Sequence, residues 1–184
     1  MWKPVMAVFA VVVVGALAVG LYLFEPWRLF TSSSVDEALP VSDVRASTAP
    51  TEPSAPNQAA TPPRNAKSSP AARDRVLAQG PFEDAEHGTT GRAKILALAD
   101  GRRFVRFEGL DTSDGPDLHV WLTDQPSGGD WGSYDDGSYV RLGELKATQG
   151  NQNYVIPEDA EIDGMTSVVI WCDRFNVAFG TAPI

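Results

Sequence analysis

The stretch Val168-Val169-Ile170-Trp171-Cys172 decides how the chain folds. It is apolar at every position and rich in β-branched and aromatic side chains, the composition of a strand buried on both faces. Strand alternation puts Val168, Ile170 and Cys172 on one face and Val169 and Trp171 on the other. A strand with two apolar faces belongs near the centre of a sheet that is itself covered. Asp173 and Arg174 follow at once, so Cys172 stands at the end of that strand. It is also the only cysteine in the chain, so it cannot staple its own domain.

Around this stretch, from Leu77 onward, short apolar runs alternate with glycine, aspartate and proline, which is the signature of many short strands. Strands are expected over 91–99, 102–110, 118–123, 139–145, 152–156, 167–172 and 176–180. Asp100-Gly101 reads as a two-residue hairpin loop, and Asp114-Gly115-Pro116, Asp136-Gly137 and Gly150-Asn151 read as further reversals. The expected fold class is all-β: an antiparallel β-sandwich of about seven or eight strands spanning residues 77–184.

The N-terminal part reads differently. From Val5 to Phe24 no side chain is charged, which is about the length needed to cross ~30 Å of hydrocarbon. Trp2, Tyr22 and Trp27 flank the run as interfacial anchors would. Residues 1–30 are therefore expected to form a transmembrane anchor with its juxtamembrane segment. A cleaved signal peptide is the alternative, with Lys3 as its basic end and Ala16-Leu17-Ala18 as its cleavage site. Lys3 places the N-terminus inside, so the expected location is the cell membrane, single-pass, with the C-terminal domain extracytoplasmic. Residues 31–76, scattered with proline, alanine, serine and threonine, are expected to be a disordered linker. Within Phe24 to Pro40 a more apolar stretch allows a short interfacial helix.

The chain carries 24 acidic and 15 basic side chains, a formal net charge of -9, which argues against a nucleic-acid partner. From Leu77 to Ile184 there are 18 acidic and 8 basic residues. Asp111, Asp114 and Asp117 cluster in one loop and Asp130, Asp135 and Asp136 in another, so a hard cation such as calcium is one reading and a solvated surface the other. There is no Gly-x-Ser-x-Gly, phosphate-binding glycine loop, His-Glu-x-x-His or Cys-x-x-Cys. His87 and His119 are the only histidines, and either could pair with Cys172. Adding Met165 completes the ligand types of a blue-copper site, but Asp173-Arg174-Phe175-Asn176 stands where that site needs a histidine and a methionine. Covalent c-type haem lacks its motif, whereas a non-covalent haem on Cys172, His119 or Met165 stays open.

Three groups of residues carry a family resemblance. They are Gly115-Pro116-Asp117-Leu118-His119-Val120-Trp121-Leu122, then Leu142-Gly143-Glu144-Leu145-Lys146 with Gly150-Asn151-Gln152-Asn153-Tyr154 and Ile156-Pro157, and last Val168 to Cys172 with Phe175, Phe179-Gly180 and Ala182. In this order the chain resembles the DM13 domain over roughly Leu77 to Ile184. Single-pass bacterial DM13 proteins are also similar at Phe24-Glu25-Pro26-Trp27 and at Val35-Asp36-Glu37-Ala38-Leu39-Pro40. The resemblance implies a β-rich domain akin to DOMON domains, with extracytoplasmic electron transfer and a cysteine, here Cys172, acting as a bare thiol or holding haem. Two functions follow as expectations. One is a redox role centred on Cys172, with an unknown extracytoplasmic redox or protein partner. The other is an adhesion or interaction module whose acidic loops bind calcium or a partner while Cys172 is core.

Overall fold

The computed structural model describes residues 2–24, 31–42, 73–85 and 88–184. Its elements in chain order are α1 (Trp2–Phe24), β1 (Ser34–Asp36), β2 (Arg75–Pro81), β3 (Glu83–Asp84), β4 (Thr90–Ala97), β5 (Arg103–Asp111), β6 (Leu118–Thr123), β7 (Tyr139–Glu144), β8 (Gln149–Ile156), β9 (Ser167–Cys172) and β10 (Val177–Pro183). The strands form two five-stranded sheets, β1-β8-β5-β4-β2 and β3-β10-β9-β6-β7. Every pairing is antiparallel except that of β1 with β8.

The two sheets pack as the alternation requires. Ala93, Ile95, Val105, Phe107, Tyr154 and Ile156 of the first sheet meet Leu118, Val120, Leu122, Val168, Ile170 and Cys172 of the second in one buried core. Phe107 anchors its first-sheet side, with Phe82 edge-on at 5.0 Å and Tyr154 tilted at 5.3 Å. On the outer face of the second sheet, Trp121, Tyr134, Val169, Trp171 and Ala178 form a smaller cluster. All six residues of β9 are buried, as its two apolar faces demand.

The Asp100-Gly101 turn falls where expected but is one residue longer, because Leu98 N–H donates to Arg102 O at 2.9 Å and encloses 99–101. Gly150-Asn151, expected as a reversal, lies inside β8. Gly150 has φ +101, and a Cβ there would come within 2.0 Å of the Val35 carbonyl oxygen. The glycine serves a close approach of two backbones, one of the uses that only glycine allows.

That approach is made by a segment the sequence assigns to the linker. Ser34, Val35 and Asp36 pair in parallel with Gln149, Gly150 and Asn151. Arg106, 6% exposed, donates through Nη1 to Glu37 O at 2.8 Å and to Asn153 Oδ1 at 2.9 Å. The Glu37 carboxylate accepts from Lys146 Nζ at 2.7 Å and from the Asn153 N–H at 2.6 Å. Residues 31–42 are thus part of the folded unit. Alternating polar residues with few apolar anchors hid them, since their docking rests on hydrogen bonds rather than burial. Of the expected linker, 43–72 lies outside the described residues, whereas Arg75 and Val76 already belong to β2; of the expected interfacial helix, 25–30 lie outside, whereas 31–40 hold β1 and no helix; His87 also lies outside.

The expected membrane anchor and location need correction. Among the described residues no helix is long and apolar enough to cross a membrane. The single-pass cell-membrane placement, and the membrane as a partner, therefore do not stand.

Two outcomes test the docked segment. Replacing Arg106 with Met takes the guanidinium donor away from the Glu37 carbonyl and from Asn153 Oδ1 and should lower stability by about 1–3 kcal/mol in a urea titration. Glu37 has its pKa lowered: burial pushes it up, but the Lys146 ammonium and the Asn153 N–H outweigh that. Its contribution is present in full above the ordinary value of 4.5 and is lost as pH falls through the lowered one. Amide protection at 149–153, taken relative to the intrinsic exchange rate at each pH, should fall over that acid range and show no such fall in Glu37→Gln.

Candidate functional site

Cys172 closes β9 in the middle of the second sheet, between Val177 of β10 and Leu118 of β6. Its side chain faces the core between the sheets and is 0% exposed. The tight β9–β10 turn, in which Asn176 takes φ 56, folds over the strand end. Burial pushes the thiol pKa up, and the nearby Asp117 carboxylate adds to that; backbone N–H groups of Phe175, Arg174 and Asp117 pull the other way without reversing it. Arg174, next but one in the chain, acts on the thiol through its backbone N–H, and that effect loses to desolvation. The sulfur is a protonated, enclosed thiol.

His119 faces the opposite way. Because Leu118 pairs with Cys172 and His119 pairs with Trp171, the imidazole projects from the outer face of the sheet while the thiol projects from its inner face. The two cannot ligate one metal or form a nucleophile–base pair. Met165 is partly buried against the inter-sheet core. His119 Nε2 instead lies 2.9 Å from Asp117 Oδ1 and 3.5 Å from Asp173 Oδ2. Ligand atoms of Asp117, His119 and Asp173 all fall within 4.8 Å of one another. Asp173 N–H donates to Asp117 O at 3.0 Å, fixing the ends of β6 and β9 to each other.

The three loop aspartates singled out in the sequence do not converge. Asp111 accepts from Gln149 Nε2 at 3.2 Å, Asp114 accepts from Thr31 Oγ1 at 2.5 Å and from its neighbour Gly115 N–H at 2.8 Å, and only Asp117 joins the histidine. In the other acidic loop, Asp130 Oδ1 accepts from the Gly132 N–H at 3.4 Å, a contact that shapes the loop. Asp173, which follows the cysteine, is the carboxylate that sequence reasoning passed over. The register of β6 against β9 is what brings it to His119.

Beside this cluster runs a stack of rings. Trp171 and Trp121 lie 5.0 Å apart, and Trp121 stacks on Tyr139 at 4.5 Å with a 10° tilt. Both tryptophans are 1% exposed, whereas Tyr139 is 39% exposed. The Arg141 guanidinium lies 4.7 Å from the Trp121 ring and donates to Asp173 Oδ2 at 2.7 Å. Trp121 Nε1 is buried and has no hydrogen-bond partner among the described residues. Loop 124–138 seals the stack with Tyr134, whose carbonyl accepts from Thr123 Oγ1 at 3.1 Å. The sequence signal for this face was present, since Trp121 and His119 share an alternation phase, but Tyr139 and Arg141 carry no motif.

A polar cleft of about 300 Å³ opens at the same end of the sandwich, lined by Ser33, Asp114, Asp117, Glu144, Lys146 and Thr148 among others. Cys172 does not line it. A haem held by Cys172 does not fit this arrangement: the sulfur is enclosed in the core, and His119 lies on the other side of the sheet. A family model described as electron transfer DM13 matches residues 81–184. No curated protein and no solved structure matches the chain.

The enclosed thiol makes a direct prediction. In the native protein Cys172 should react with an aromatic disulfide reagent at least a hundredfold more slowly than in urea, where it should titrate as one thiol. Fast native labelling at neutral pH would contradict its placement in the core.

Proposed function

The chain belongs to the electron-transfer DM13 family, and from that premise we infer that its folded domain passes single electrons, with the Cys172 end of the second sheet as the redox centre. The observation that carries the reading is the continuous stack Trp171, Trp121, Tyr139, which runs from the residue beside Cys172 to a half-exposed ring. Rings in van der Waals contact couple electronically, so an electron can leave the Cys172 thiol across the sheet while its proton passes to the nearby Asp117 carboxylate, both returning on re-reduction. The partners are a one-electron donor and a one-electron acceptor, and after each transfer the domain returns to its starting state. Exchange through a mixed disulfide is not part of this reading, since it needs a thiolate that another sulfur can reach.

The Arg141 cation over Trp121 makes oxidation of that indole costlier, and the Asp173 carboxylate against the guanidinium offsets part of the effect. Transfer should then be sensitive to this pair. A second reading has its own support: Cys172 is 0% exposed in the inter-sheet core, as an inert packing residue would be. On that reading the domain is an interaction module and the cysteine only fills space.

Flash oxidation of the purified protein with a soluble ruthenium photo-oxidant separates the two. The wild type should form a tyrosyl or tryptophanyl radical, and its electron transfer should slow at least tenfold in Trp121→Phe. An unchanged rate removes the stack from the route. Cys172→Ala should stay folded, less stable by about 1–2 kcal/mol from the lost packing, and lose redox turnover. Full turnover in that folded variant would leave only the packing role.

A further inference from the structure

We propose that Asp117, His119 and Asp173 form a binding site for a divalent first-row transition-metal ion on the outer face of the second sheet. Three different ligand atoms, one imidazole nitrogen and two carboxylate oxygens, converge within 4.8 Å. One Nε2 lies 2.9 Å from the first carboxylate and 3.5 Å from the second, and a single N–H can be directed well at only one of them. An ion bonded at about 2.0–2.2 Å to nitrogen and oxygen ligands would hold such atoms about 3.4 Å apart in tetrahedral geometry, near the 2.9 and 3.5 Å that separate the imidazole nitrogen from the two carboxylates.

The ligands are carried by rigid backbone. His119 is inside β6, Asp117 and Asp173 immediately adjoin β6 and β9, and the bond from Asp173 N–H to Asp117 O locks those ends at 3.0 Å. Side-chain exposures of 17% for His119, 21% for Asp173 and 41% for Asp117 leave an approach from solvent. Glu144 stands opposite His119 on β7, adding a further carboxylate to the surroundings. Arg141 holds Asp173 Oδ2 at 2.7 Å, the position of an outer partner that orients a metal-binding carboxylate. The imidazole nitrogen is the discriminating donor. Calcium and magnesium favour oxygen ligands alone, whereas mixed nitrogen and oxygen sets with open positions suit zinc, cobalt, iron and their neighbours.

Cobalt(II) added to the full chain tests the site, because it is paramagnetic and would bind next to Trp171, the residue paired with His119. We expect saturable quenching of tryptophan fluorescence at one equivalent, competed by zinc. His119→Gln and Asp173→Asn should each weaken binding at least tenfold with the near-ultraviolet circular dichroism unchanged, while Asp111→Asn binds as the wild type does. Absence of saturable quenching, or quenching equal in wild type and His119→Gln, would overturn the proposal. Displacement of cobalt by an equal concentration of calcium would overturn the choice of metal.

Discussion

The packing of β9 on both of its faces is the constraint from which the rest of the structure follows. Its inner residues Val168, Ile170 and Cys172 need an opposing sheet, and its outer residues Val169 and Trp171 need a cover of their own. The first need is met by β4, β5 and β8, and the second by Trp121 and the loop that brings Tyr134 over it. A single apolar stretch of five residues, Val168 to Cys172, therefore accounts for both the sandwich and the aromatic face. The chemistry divides along the same plane, with the thiol sealed inside and the ionisable groups of Asp117, His119 and Asp173 outside.

Much of this was legible in the sequence, and the part that was not has a physical reason. Alternation assigned the two faces of β9 correctly, because burial writes itself into the pattern of apolar residues. Ser34 to Asp36 and the site aspartate Asp173 were missed for a common cause: both depend on partners more than 50 residues away and on polar contacts that leave no periodic trace. Gly150-Asn151 has the dipeptide chemistry of a turn, yet the glycine admits a neighbouring strand. The long apolar run of α1 read as a membrane span, whereas no described helix meets the length and apolarity of one.

The cysteine shows how register can overrule composition. One thiol and one histidine on neighbouring strands invite a catalytic or ligating pair. The pairing of Leu118, rather than His119, with Cys172 separates them across the sheet. Each then keeps company that its own face supplies: apolar side chains and backbone N–H groups for the sulfur, carboxylates and indoles for the imidazole. Shifting that register by one residue would exchange the two environments.

β1 has a further consequence for how the folded unit is delimited. The family match begins at residue 81, beyond both β1 and most of β2. A polypeptide started there would keep the sandwich core but strip β8 of the strand that covers its outer edge and β4 of most of its own. Exposed edges of this kind are templates for pairing with another chain. Residues 31–42 thus cover an edge that would otherwise lie open, and the polar residues that made them look like tether are what let them do so without adding to the core.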